Sequence, residues 1–402
     1  MKRFVTRNIL LLSLISFFND LSSEIIYPIL PLYLSSIGLS YTAIGAVEGV
    51  AELISSLSKV FFGFFSDKLG KKVIFVKLGY AISAFSKPII GLSQSFPVIF
   101  ISRVADRFSK GIRTAPRDAI LISESKPEDR AKVFSFHRSI DNLGGAIAPI
   151  GSLVFLVFLG NNYSHLFLAA LIPGAIAVTL TFLLKVKSID SNPTEAQVKK
   201  ISFNSFIKKA DINYKKILFG LVLLSILNST DFYFLLRAKE ILAFNNNYSL
   251  TVSPDILVLI LYIIFNISYV TTANPIGAIS DKLGHKKSMI AGMLFFAVVY
   301  GLFAYNLTLP MIIITFICWG IFMTIYDNVS KAWLSLYIPK EYKATGIGLL
   351  VTLMGIGTFF GNMIMGSLID SFNSSVAFSL VSIASLFVLA YFLFGKFKDI
   401  KI

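Results

Sequence analysis

Gly63-Phe-Phe-Ser-Asp67-Lys-Leu-Gly70-Lys71-Lys72 returns later in the chain as Gly277-Ala-Ile-Ser-Asp281-Lys-Leu-Gly284-His285-Lys286-Lys287, 214 positions on. Two further pairs keep nearly the same offset. Pro97 matches Pro310 at 213, and Pro127-Glu-Asp-Arg130-Ala131 matches Pro339-Lys-Glu-Tyr-Lys343-Ala344 at 212 to 213. One coincidence would be weak evidence; three at a nearly constant offset indicate an internal duplication.

The sequence around these phrases is 55% hydrophobic and only 15% charged, whereas a soluble domain is about a quarter charged. Stretches such as 9–18, 154–159 and 375–394 are almost free of charge, and roughly 20 apolar residues cross a bilayer as a helix. Twelve spans are expected, at about 9–37, 41–65, 73–93, 97–121, 132–159, 163–185, 215–238, 254–279, 287–306, 309–335, 344–370 and 375–396. The first runs directly into Asn19-Asp20 without a small-residue cleavage site, so it reads as a span and not as a signal peptide. The single cysteine, Cys318, rules out a disulfide framework and a thiolate metal cage.

The formal charge of +15 is distributed unevenly. Lys2, Arg3 and Arg7 precede the first span, Lys68, Lys71 and Lys72 follow the second, and Lys126, Arg130 and Lys132 follow the fourth. A polar, Lys-rich segment with Pro193 fills the middle, Lys282, Lys286 and Lys287 follow the eighth span, and Lys396, Lys398 and Lys401 close the chain. The alternate connections at 37–41, 91–96, 161–164, 306–309 and 371–375 hold neither Lys nor Arg. The positive-inside rule then places both termini and the central linker in the cytoplasm. The expected organisation is a first bundle over 1–186, a linker over 187–213 and a second bundle over 214–402. The positive charge is a topology signal, and nucleic acid is not an expected partner.

Gly-x-x-x-Asp-Lys-x-Gly-x-Lys after the second span, repeated after the eighth, resembles the signature loop of the major facilitator superfamily. Arg107-Phe-Ser-Lys110-Gly111 resembles that superfamily's fourth-helix motif, with Lys110 where Gln is usual. Gly144-Gly145-Ala-Ile-Ala-Pro149-Ile-Gly151 matches the Gly-Pro motif of proton-driven exporters only in part, because Ala148 stands where Gly is expected. The resemblance implies an all-α integral membrane protein of twelve transmembrane helices. These would form two six-helix bundles related by a pseudo-two-fold axis, rocking about a midplane site. It also implies that Gly63, Asp67, Gly70, Lys71 and Lys72, with Gly277, Asp281 and Gly284, form a cytoplasmic gate. The alternative is a basic turn that only sets topology.

Charge inside the spans carries the chemistry. Arg103, Asp106, Arg107, Lys110, Arg113 and Arg117 occupy an arc of roughly 120° on the fourth span. A charge in hydrocarbon costs on the order of 2.5–3.5 kcal/mol, so such residues face a wet cavity or paired partners. Arg113 and Arg117 also fit a snorkelling role near the cytoplasmic end. Asp20 and Glu24 share a face of the first span with Ser23, Tyr27 and Pro31, and Glu48 and Glu52 lie one turn apart on the second. The fifth span offers Arg138 and Asp141, the seventh Asn228 and Asp231, and the tenth Tyr326, Asp327 and Asn328. A buried carboxylate near an Arg can exchange its proton for substrate or for a salt bridge. The alternative is a permanent ion pair between Arg107 or Arg138 and Asp20, Glu24 or Asp141. His137 reads as a polar contact.

No Walker-type loop, zinc spacing or nucleophile–base set is present, so neither ATP drive, a cofactor nor an enzyme activity is expected. The favoured reading is a monomeric, multi-pass inner-membrane secondary transporter with protons as the coupling ion. Clustered Arg and Lys lean toward an anionic or zwitterionic small-molecule substrate. An exporter of amphiphilic drugs, or of a metal cation or a siderophore-like chelate, is the alternative within the class. A transporter-like sensor is the alternative outside it.

Overall fold

The computed structural model describes residues 5–69, 72–160, 162–185, 206, 210–244, 252–339 and 342–397, without the side chains of 60, 63–69, 131, 159 and 344. Every regular element among them is helical. In the first half these are α1 (Arg7–Ile26), α2 (Leu30–Ser36), α3 (Tyr41–Leu69), α4 (Lys72–Leu92), α5 (Phe96–Ser123), α6 (Arg130–Leu159), α7 (Tyr163–Ala169) and α8 (Leu171–Thr181). In the second half they are α9 (Ile212–Leu227), α10 (Asp231–Phe244), α11 (Pro254–Leu283), α12 (His285–Phe303), α13 (Leu309–Thr324), α14 (Ser330–Ser335), α15 (Lys343–Ser371) and α16 (Ser374–Phe394). A π-helical turn, Ile325–Val329, joins α13 to α14.

Among the described residues, ten helical stretches are long and apolar enough to cross a membrane. The remaining two expected spans coincide with α3 and α5, of 29 and 28 residues, which at 1.5 Å per residue reach about 42 Å. They are the helices that carry Glu48, Glu52, Lys59 and the Arg cluster. Large apolar side chains such as Phe85, Ile101, Phe158, Phe387 and Phe394 stand exposed on the outside, as a hydrocarbon-facing surface requires.

The chain divides into two compact units, one of Met1–Leu39 with Val50–Ala196 and one of Ser40–Gly49 with Gln197–Ile402. The linker expected at 187–213 lies largely outside the described residues.

Besides the turn at Ala170 between α7 and α8 in the sixth, three spans expected to be continuous are interrupted. The first breaks after Ile26 and resumes at Leu30; Pro28 and Pro31 fix φ and remove two amide donors there. The seventh breaks at Asn228–Thr230. Its freed amides are satisfied by side chains: the Ser229 N–H donates to the Tyr300 hydroxyl (3.2 Å) and the Thr230 N–H to Asn362 Oδ1 (3.0 Å). Irregular backbone at membrane depth survives only when protein groups satisfy it in this way. The third interruption is the π turn around Asp327, a local widening of the helix that re-aims side chains.

Small residues set how closely helices approach within each unit. A Cβ on Gly79 of α4 would lie 2.7 Å from Arg113 Cβ of α5, and one on Gly144 of α6 would lie 2.4 Å from the Phe17 carbonyl oxygen of α1. In the second unit an aromatic core holds α10, α12, α13 and α16 together: Phe234 packs on Trp319 with centroids 4.1 Å apart and touches Tyr300, Phe303 and Phe378. The first turn of α3, which belongs to this unit, is capped by Asp370 of α15. The Tyr41 and Thr42 N–H groups donate to its two carboxylate oxygens at 2.9 and 2.8 Å. The Tyr41 hydroxyl donates to Glu240 (2.8 Å), which also accepts from Arg237 (2.9 Å) and Ser374 (2.9 Å).

Candidate transport site

Arg103, Asp106, Arg107 and Arg113 of α5 are buried, while Lys110 and Arg117 are half-buried, and these charges are divided among several neighbours instead of facing one compartment. Arg103 is fully buried and donates to Asp106 Oδ2 at 3.3 Å. Asp106 also accepts from Ser83 (2.7 Å) and lies 3.9 Å from Lys87 Nζ on α4. Lys87 is itself fully buried and donates to Ser22 of α1 (3.0 Å). A buried charge persists only with such partners. Lys87 was not among the sequence candidates. The third span holds Lys77 and, just before Pro88, Lys87, a far sparser signal than the charge of α5.

Arg107 pairs with Glu52 of α3, Nε to Oε1 at 3.2 Å. In place of the alternative pairing with Asp20, Glu24 or Asp141, the ion-pair partner of Arg107 among the described residues comes from α3. Glu24 remains within electrostatic range of Arg107, Lys110 and Arg103. The Tyr27 ring stands beside both guanidiniums, with centroids 5.9 Å from Arg103 Cζ and 5.7 Å from Arg107 Cζ, close enough for cation–π attraction.

Arg113 and Arg117 do not snorkel. Arg113 is buried, donates to Ser109 (2.9 Å) and lies over the Tyr80 ring at 4.9 Å. Arg117 bonds Asp118 and reaches Ser16 of α1 at 3.1 Å. Arg138, expected as an ion-pair partner, is exposed and makes no ion pair among the described residues, because its side of α6 turns away from α1.

Asp141, three residues further along α6, faces α1. Its carboxyl lies beside that of Asp20, while its Oδ1 is buried without a donor. Glu48 is fully buried and belongs to the second unit. His137 is buried beside Ser13 at 3.3 Å, the polar contact its position suggested.

The second unit carries fewer charges. Asp231, at the start of α10, accepts from Trp319 Nε1 (3.1 Å). Asp327 on the π turn accepts from the Tyr269 hydroxyl (3.1 Å). In the repeated loop, Gly284 has φ +91° between α11 and α12, a conformation that favours glycine. Lys286 donates to the Gly395 carbonyl (3.0 Å) at the end of α16, satisfying a helix C-terminus. Gly277 is unobstructed and Asp281 is exposed. In the first copy, Gly63 and Asp67 lie in the last turns of α3 without described side chains, Lys72 opens α4, and Gly70 and Lys71 lie outside the described residues.

The sequence profile of the Major Facilitator Superfamily matches residues 12–259 and 221–399. An uncharacterized MFS-type transporter of Methanocaldococcus jannaschii is 34% identical over 91% of this chain and 89% of its own length. The chain belongs to the Major Facilitator Superfamily.

It is therefore a multi-pass membrane transporter of small molecules and not an enzyme. The quinolone resistance protein NorA of Staphylococcus aureus is 27% identical over 40% of each chain. The structure of the nucleoside transporter NupG superposes with a TM-score of 0.83 over 96% of this chain and 98% of its own, at 14% identity. That of the peptide transporter POT in complex with sulfate superposes at 0.76, over 96% and 94%, also at 14% identity. At such identity these two superfamily members establish a common fold.

Proposed function

We propose that this superfamily member is a proton-coupled secondary active transporter of an anionic or zwitterionic small solute. It works by alternating access between bundles 1–186 and 214–402, joined by the linker 187–213, as a monomer with both termini in the cytoplasm. The observation that carries the proposal is the Asp20–Asp141 pair. One proton shared between these neighbouring carboxyls supplies the donor that Asp141 Oδ1 lacks. Removing it leaves two like charges in a medium where repulsion is strong. Lys110, Arg107 and Glu24 lie close by, so an arriving anionic group and a departing proton can compensate each other electrostatically.

The test is a flux assay in proteoliposomes with an entrapped pH dye, using amino acids, dipeptides, nucleosides and organic acids as solutes. At least one solute is expected to drive protein-dependent proton movement, lost in Asp141→Asn and strongly reduced in Glu24→Gln. Solute flux that is indifferent to the pH gradient would overturn the coupling.

A second reading, export of amphiphilic drugs, is supported by the similarity to the quinolone resistance protein NorA. Drug-stimulated proton movement without response to any polar solute would favour it.

A further inference from the structure

In the second unit, the break in the seventh span and the π turn of the tenth bring together a group of oxygen atoms with a common demand. Asp327 is partly buried, receives one hydrogen bond from Tyr269, and makes no ion pair among the described residues. Its nearest basic neighbour is Lys331, one turn along, which is exposed. The Tyr326 hydroxyl lies beside the Asn228 side chain. Tyr326 and Asn228 are 5% and 6% exposed, and both the hydroxyl and Asn228 Oδ1 are buried without a partner. Natural proteins seldom leave such atoms unsatisfied, so each calls for an explanation. Asp327 and Asn228 Oδ1 can only accept, so what completes the group must bring donors.

Aromatic side chains surround it. On α11, Tyr262 stacks on Phe265 (5.7 Å) and Phe265 on Tyr269 (6.4 Å). On α13 and the π turn, Trp319 leads through Phe322 (5.2 Å) to Tyr326 (5.6 Å). The two helices are clamped nearby by the Thr272–Thr324 hydroxyl contact at 3.1 Å. Aromatic faces attract positive charge, more strongly when water is excluded.

We propose that Asp327, with Tyr269, Tyr326 and Asn228, forms a subsite for a positively charged nitrogen, an ammonium or amidinium group, on the transported solute. The proposal rests on the transport reading above and narrows its substrate class from anionic or zwitterionic to nitrogen-bearing. The N–H groups of the ligand satisfy Asn228 Oδ1 and Asp327, the Tyr326 hydroxyl is free to donate or accept, and the exposed Lys331 is displaced from the field of Asp327.

Binding in detergent, with no pH gradient, separates this subsite from proton coupling. The two tryptophans of the chain are Trp319 and Trp333. In a Trp333→Phe background the remaining fluorescence comes from Trp319, whose N–H is bound to Asp231 and whose ring adjoins the site. Arginine methyl ester, benzylamine and benzamidine, each presenting charged N–H groups, are titrated, with ethylbenzene, the uncharged carbon isostere of benzylamine, as control. Expected is a saturable change with at least one cation and none with the isostere. Affinity falls roughly tenfold or more in Asp327→Asn, as for loss of a charged hydrogen-bond partner, and is retained in Asp327→Glu and in Asp20→Asn. Should Asp327→Asn not yield monodisperse protein, Tyr269→Phe and Tyr326→Phe each weaken binding several-fold. Absence of saturable binding by all three cations, or binding unchanged within about twofold in Asp327→Asn or in both Tyr variants, overturns the subsite. If cations bind as expected but no solute moves protons in liposomes, proton coupling fails and the subsite stands.

Discussion

Two adjacent glycines on α6 provide an internally controlled test of how the acidic pair is positioned. A Cβ on Gly144 would lie 2.4 Å from the carbonyl oxygen of Phe17, 3.1 Å from its carbonyl carbon and 3.2 Å from its Cα. These are backbone atoms of α1, so no side-chain rotation relieves the overlap. To restore an ordinary contact, α1 must withdraw by about 1 Å. Overpacking of this kind costs about 1–3 kcal/mol, and a backbone obstacle puts Gly144→Ala near the top of that range. Replacing a mid-helix glycine by alanine returns about 0.5–1 kcal/mol, so the net loss is about 2 kcal/mol.

A Cβ on Gly145 meets only Glu24 Cγ, at 3.6 Å, an ordinary contact. Gly145→Ala therefore keeps the propensity gain, and the neighbouring variants differ by roughly 2.5–3 kcal/mol in opposite senses. Heating purified protein and measuring the surviving monodisperse fraction by size exclusion reads this difference. The displaced helix carries Asp20 and Glu24, so Gly144→Ala is also expected to lose proton-coupled flux at temperatures where it remains folded, as small misplacements do in reactive sites. Equal melting of the two alanine variants would refute the packing argument. Full flux in a destabilised Gly144→Ala would refute its link to the site.

Two further outcomes are expected. Asp370→Asn removes the charge from the cap on α3 and costs about 1 kcal/mol, less for an exposed group in salt. Its melting temperature should fall below wild type at low ionic strength and converge on it at high salt; a gap independent of salt would mean the carboxylate acts otherwise. Asp67→Asn is expected to lower transport while leaving expression and monodispersity intact, and unchanged uptake and efflux would remove the gating role from the repeated loop.

The fold was legible because hydrophobic run length, loop charge and the duplicated phrase each depend on sequence distance alone. The same holds for the choice of α5 as the most charged span. The pairings were not legible, because they depend on which neighbouring helix meets each face. Glu52 and Asp20 are equally plausible mates for Arg107 on a helical wheel, and only the proximity of α3 decides for Glu52. Arg138 and Asp141, three residues apart, point to different surroundings for the same reason. Lys87 escaped because two isolated cations in an apolar span, Lys77 and Lys87, give no pattern. The breaks at Asn228–Thr230 and at the π turn escaped because their compensating groups, Tyr300 and Asn362 for the first, lie over 70 residues away in sequence.

The duplication extends further than the repeated loop, and its reach explains why the two units differ chemically. Ser58 and Thr272 are 214 positions apart, and Gly111 and Thr324 are 213 apart. In the first unit a Cβ on Gly111 would strike Ser58; in the second, Thr324 and Thr272 touch through their hydroxyls at 3.1 Å. The same helix pair thus meets at the same register in both units, with different residues filling the contact. One turn away, the positions of Arg107 and Glu52, joined at 3.2 Å in the first unit, are held by Gly320 and Asn266 in the second. A Cβ on Gly320 would already lie 2.8 Å from the Phe265 carbonyl oxygen, and Asn266 donates back to its own helix at Tyr262 (2.9 Å). The second unit therefore has no room for the ion pair: α11 and α13 close directly on each other there. Its one acid on the tenth span, Asp327, lies past this closure, on the turn where the helix widens to π geometry. The packing register is thus kept in both units, while the charge moves from the helix contact in the first to the π turn in the second.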